Sequence, residues 1–196
     1  MMRYSSTHKT ETRQRILTMA SLRFRAEGVA NVGIANLMAD LGLTHGGFYA
    51  HFHSKDDLVA QSCRQALLDM NEIWQAQLEQ AASGAGLKRL AKDYLSPAHR
   101  DFPDSGCAAA ALAGELARHD KATRQAFSEG LQALLHTLRQ AQQCDAAAGA
   151  RPALAPEACL ALMVGALLLS RAISDEALSD RLLKSAAAAL TLQARA

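Results

Sequence analysis

The chain has 196 residues, 49% apolar and 20% charged, and a formal net charge of +2. That balance suits one or two globular domains with a real core and excludes a disordered or collagen-like chain. So small a surplus neither demands nor forbids nucleic acid, so its distribution matters: residues 1–61 hold seven Lys and Arg against five acids, together with His8, His45, His51 and His53.

The four cysteines, Cys63, Cys107, Cys144 and Cys159, lack the paired spacing of a zinc or redox site. The N-terminus is polar and unlike a secretory signal. The most apolar run, Cys159–Ser170, is too short for a bilayer, which takes about 20 residues. A cytoplasmic protein with reduced thiols, no cofactor, no metal and no membrane partner is expected.

In chain order, Thr10 or Thr12 can cap a first helix from Arg13 to Glu27, with Ile16, Leu17, Ala20, Leu22 and Phe24 as its apolar positions. Arg13 lies near the helix start, the unfavourable end for a cation, and is therefore a candidate contact for an external phosphate. Gly28 ends the helix. Ile34, Leu37, Met38 and Leu41 then recur at three- and four-residue steps and predict a short helix. Gly42 breaks it, and Thr44 can cap a second short helix through Tyr49. Two short helices around a glycine turn are the helix-turn-helix pattern, which would present Thr44, His45 and Gly46 to a major groove. Phe48 and Phe52, four residues apart, read as core.

Ser54 and Asp57 have the spacing of a capping box and open a long helix from Lys55 to about Ala81. This is the expected connector between a DNA-binding domain over 1–54 and a second domain over 55–196. A short helix at Leu87–Leu95 follows, then a loop through Pro97 and His99–Gly106. An Ala-rich helix spans Cys107–Arg118, with Ser105 as candidate cap. Further helices are expected over Lys121–Gln143, Glu157–Ile173 and Ala177–Leu192. Nothing reads as a strand. The expected fold is all-α, with about nine helices and no internal repeat.

Three groups in the second half carry expectations. Leu160, Val164 and Leu167, with Leu178, Leu182 and Ala186, give the last two helices more apolar surface than one solvated face allows. They are the expected four-helix interface of a homodimer, which suits reading two half-sites. Met70, Trp74, Tyr94 and Phe102 are the expected walls of a small-molecule pocket beside the connector. Phe127, Leu131, Met163 and Leu167 complete it, and so few polar partners suggest an apolar or aromatic effector. Cys107 stands in the first turn of its helix, where exposed amides stabilise a thiolate, and is a candidate redox or electrophile sensor. Cys63, Cys144 and Cys159 read as core.

The strings TRQRILTMASLRFRAEG at 12–28 and IANLMADLGLTHGGFYAHFHSKDDL at 34–58 resemble tetracycline-repressor-type transcriptional regulators. The resemblance implies a homodimer on a palindromic operator, usually a repressor, released when a small effector binds the C-terminal domain. It also implies that Thr44, His45 and Gly46 meet base edges and that Gly46 and Gly47 permit close approach. Tyr49, His51 and Lys55 would contact backbone phosphates. The chain departs from the family at Gly33, where a capping Thr or Ser is common, and at Ala50, where some members carry an aromatic ring. An activator of the same fold, or a helical scaffold without sequence-specific binding, is the alternative. An enzyme is not expected: no nucleophile, base and orienting acid fall into a recognisable arrangement.

Overall fold

The computed structural model describes residues 6–150 and 153–191. Among them are nine α-helices and one 3-10 helix, and no strand. The helices are α1 (Ser6–Glu27), α2 (Ile34–Asp40), the 3-10 helix (His45–Ala50), α3 (Lys55–Glu79), α4 (Gly86–Tyr94), α5 (Pro97–Asp101), α6 (Ala108–Leu116), α7 (Lys121–Ala147), α8 (Pro156–Ala172) and α9 (Glu176–Leu190). None is long and apolar enough to cross a membrane.

The apolar stripe of α1, Ile16, Leu17, Ala20 and Phe24, closes on Leu37 and Met38 of α2 and on Phe48 and Phe52. Leu58 and Val59 at the start of α3 seal this cluster from below. From there α3 runs out against α7, the most extensive helix pair of the fold. The two approach closely because α7 carries Gly130, where an added Cβ would come within 2.6 Å of the Leu67 side chain. The end of α7 also stabilises α4. The N-cap of α4, Ala85, offers no side-chain acceptor, and buried Asp145 instead accepts from the Gly86 and Leu87 amides at 2.7 and 2.9 Å.

Several expectations need correction. Helix α1 starts at Ser6, so Thr10 and Thr12 lie inside it, and Thr12 is buried rather than capping. Part of the expected loop after Pro97 is α5, opened by Ser96, whose hydroxyl accepts from the His99 amide at 3.2 Å. Cys107, not Ser105, is the N-cap residue of α6, and its side chain makes no capping bond. Cys63 and Cys159 are core, but Cys144 is exposed near the end of α7.

Helices α8 and α9 pack on each other. Leu160, Leu167 and Ala186 face into the protomer and cannot form an outer interface. Val164 and Leu182 are half-buried and Leu178 is exposed. The outward face is carried instead by Leu168, Leu169 and Leu178, respectively 50%, 54% and 42% exposed. A shallow apolar groove beside them is lined by Leu162, Gly165, Leu169, Leu182 and Ala189 among others.

Candidate nucleic-acid interface

Two local rules place the reader. Gly42, at φ +70°, makes the turn after α2 that a side chain would strain. Thr44 then caps the next helix, its hydroxyl accepting from the Gly47 amide at 3.2 Å. The helix is tight: the Gly47 and His51 amides each donate to a carbonyl three residues back. The short helix expected through Tyr49 is thus a 3-10 helix, His45–Ala50. Phe48 and Phe52 lie beneath it, both 1% exposed, their rings stacked at 5.5 Å. They hold the opposite face toward solvent.

That outer face holds Thr44, His45 and Gly46, all exposed, and Tyr49, 61% exposed. Tyr49 packs edge-on against Phe48 at 5.2 Å and His45 at 5.9 Å, which steadies its ring and leaves the hydroxyl outward. An added Cβ at Gly46 would meet nothing within 4 Å, so no internal contact requires glycine there. At Gly47 it would meet the Thr44 hydroxyl at 3.3 Å. The cap at Gly33 is absent, as its residue type implies.

The capping box at α3 forms: the Asp57 amide donates to Ser54 Oγ at 3.0 Å, and Asp57 Oδ2 accepts from the His53 amide at 2.9 Å. Lys55 is half-buried in that first turn. His51 is half-buried too, and its Nδ1 has no partner. Burial, with Lys9 and Arg13 nearby, holds this imidazole below its ordinary value. His51 is therefore suited to meet a phosphate as a neutral N–H donor more than as a cation. Arg13 is not a free surface cation. Its guanidinium lies 4.9 Å from the Phe52 ring centroid and donates to Gln61 Oε1. Gln61 was not among the expected residues, although its spacing from Asp57, one helical turn, was a readable signal.

The reader is tied to the body by α6 and the loop before it. Glu115 accepts from the Val29 amide at 2.9 Å, just past the end of α1, and Arg25 donates to the Asp104 carbonyl at 2.5 Å. Neither contact has a local signal, since the partners lie 86 and 79 residues apart.

The expected pocket walls line none of the clefts described. Trp74, Tyr94, Met163 and Leu167 are packed core, with Trp74 edge-on to Tyr94 at 5.8 Å. Met70, Phe127 and Leu131 are half-buried, and Phe102 is 63% exposed on the surface. A cleft of about 670 Å³ lies where the end of α3, the start of α4 and the end of α7 meet. Leu78, Ala82 and Ala141 line it with Gln75, Gln140, Gln143 and Glu79, and no aromatic ring takes part.

Cys107 is fully buried, not accessible. Its amide donates to His99 Nε2 at 2.8 Å, while His99 Nδ1 bonds the Tyr94 carbonyl at 2.8 Å. Arg171 of α8 donates to the His99 carbonyl at 2.7 Å and closes the cluster. An oxidant does not reach this thiol in the present arrangement.

A short cap-braced helix following a glycine turn, with its polar face exposed, on a helical body, is the helix-turn-helix arrangement. Residues 16–61 match the family model described as "Bacterial regulatory proteins, tetR family". That segment is similar to the family's DNA-binding segment, and the chain as a whole takes the fold of solved TetR-family structures, among them a regulator from Agrobacterium tumefaciens with a TM-score of 0.77 at 19% identity, over 94% of this chain and 100% of that one. The HTH-type transcriptional regulator YerO of Bacillus subtilis is 27% identical over 95 residues, covering 48% of this chain and 32% of its own length. TtgR of Pseudomonas putida, an HTH-type transcriptional regulator, is 38% identical over 69 residues, covering 35% of this chain and 30% of its own. The match thus spans about a third of the length of these curated relatives. Among solved structures, reduced E. coli NemR superposes with a TM-score of 0.77 at 19% identity, over 91% of this chain and 95% of that one.

Proposed function

We propose that the protein is a transcriptional repressor that binds a palindromic operator as a homodimer and is released by a small molecule in the C-terminal domain. One observation carries this reading. Thr44, His45, Gly46 and Tyr49 form an exposed polar face, supported from beneath by the stacked rings of Phe48 and Phe52. In this reading Thr44, His45 and Gly46 meet base edges. Tyr49, His51, Lys55 and Arg13 meet phosphates, and Gly47 keeps the approach close. Residues 1–54 make the reader, and 55–196 the effector and dimer domain. The second copy docks through the outward leucines of α8 and α9, whose exposed apolar face suits a like surface.

The effector is assigned to the cleft at the end of α3 and α7, whose volume suits a small ligand. Its glutamine amides and Glu79 favour a neutral or cationic molecule that accepts and donates hydrogen bonds, in place of a purely aromatic one. Release by thiol modification would need the Cys107 cluster to open first. The protein is not an enzyme in this account.

Two substitutions separate the roles. Lys55→Ala should weaken binding about equally on all duplexes and lower the salt slope by about 1. His45→Ala should instead change preference at one symmetric pair of base positions, costing about 1–3 kcal/mol there. Binding that falls equally on every duplex for both variants would remove the base-reading role.

A further inference from the structure

Arg13 holds a position that needs explanation. It leaves the first third of α1, lies against the face of Phe52 and reaches α3, where Gln61 accepts from it. Gln61 in turn donates its amide to Asp57 Oδ1 at 2.5 Å. The other oxygen of Asp57 accepts from the His53 amide, and the Asp57 amide donates to Ser54. One carboxylate therefore joins the cap of α3, the exit from the reader helix and, through Gln61, the guanidinium on α1.

A long cationic side chain at a surface loses much of its rotamer freedom when held in place. The gain from one exposed ion pair or hydrogen bond rarely exceeds that by much. Here three features fix the group before any ligand arrives: an aromatic face, one amide acceptor and a carboxylate holding that amide. The guanidinium has further N–H donors beyond the one that Gln61 accepts, and its charge acts on His51. A preset planar cation next to a neutral imidazole donor suits a phosphate oxygen, since the ordering cost is met on folding and not on binding.

We propose that Gln61, braced by Asp57, is a positioning residue that presets Arg13 as a phosphate clamp for operator DNA. Gln61 does not touch DNA; it acts through Arg13. The inference rests on the DNA-binding reading above and adds to it a residue on the connector helix outside the reader.

The test is a double-mutant cycle on the full chain. It compares wild type, Gln61→Leu, Arg13→Ala and the double variant. The probe is a palindromic duplex selected from random-sequence DNA by the wild-type chain, titrated at several salt concentrations. Gln61→Leu should weaken binding roughly tenfold and lower the salt slope by about 1, as Arg13→Ala does. In the Arg13→Ala background the same change should have almost no further effect. Equal losses from Gln61→Leu in both backgrounds, or an unchanged salt slope, would overturn the proposal. Should the Gln61→Leu variant melt early, Gln61→Asn runs the same cycle, its side chain being one methylene too short to span Asp57 and Arg13. Failure of the wild-type chain to select any duplex would count against the DNA-binding reading itself, and would be seen before any variant is made.

Discussion

Leu169→Asp is expected to convert the proposed dimer to monomer and to cut affinity for a duplex with two half-sites about a thousandfold, roughly 4 kcal/mol. Leu169 is 54% exposed on α8 and borders the apolar groove shared with α9. In a lone protomer the change costs little, because the side chain already meets water. In a dimer it puts two carboxylates into an apolar contact across the two-fold axis, where they lack partners and repel. The operator then loses the second reader, and one short helix gives too little contact alone. Sedimentation at micromolar concentration and duplex titration read both effects, and circular dichroism should be unchanged. A variant that stays dimeric would place the interface elsewhere. A control on the inward face, Leu160→Asp, should unfold the chain instead, since Leu160 is buried.

Acidification should destabilise the fold by up to about 3 kcal/mol between pH 6.5 and 4, through His99. Burial, with Arg171 close by, pushes this imidazole down to about 4, although its bond to the Tyr94 carbonyl acts the other way. The titratable groups facing it are Tyr94 from α4, Cys107 at the head of α6 and Arg171 from α8. Burial and the neighbouring Cys107 keep the Tyr94 phenol well above its ordinary value, so it stays neutral throughout. The folded value lies below the unfolded one, so stability is fully present above about pH 6.5. It is lost as the unfolded chain takes up a proton that the folded chain refuses. His51, also held low, adds in the same direction. Urea titrations across this range should show the decline. His99→Gln, which can still accept from the Cys107 amide, should flatten it. An unchanged slope in that variant would assign the acid sensitivity to other groups.

The reader was legible because its determinants are local. Gly42 for the turn, Thr44 and Ser54 for the caps, and Phe48 with Phe52 four residues later for the buried side all act within a few residues. The 3-10 winding of His45–Ala50 was not legible, since an α-helix and a 3-10 helix of six residues share the same cap and glycines. Helix α5 does carry a local signal: Ser96 followed by Pro97 is a cap with proline in the first turn. The face of α8 could not be read, because a helix apolar nearly all round has no polar side to mark the solvent. Its orientation came from the packing of Leu160 and Leu167 inward, which left Leu168 and Leu169 outside. The enclosure of Cys107 was hidden for a similar reason: it depends on His99 of α5 and Arg171 of α8, both remote from its own helix turn. The link from Arg13 to Gln61 joins residues 48 apart, and only the folded chain brings them together.

The central claim is that Thr44–Tyr49, presented twice, reads a palindrome. Its most direct test is titration of the full chain onto a palindromic duplex selected from random-sequence DNA, against a scrambled duplex of the same composition, over a range of salt. Two chains per palindrome are expected, with a preference for it of about a thousandfold or more at physiological salt, while binding to the scrambled duplex falls away as salt rises. Equal affinity for both duplexes at every salt concentration would contradict it.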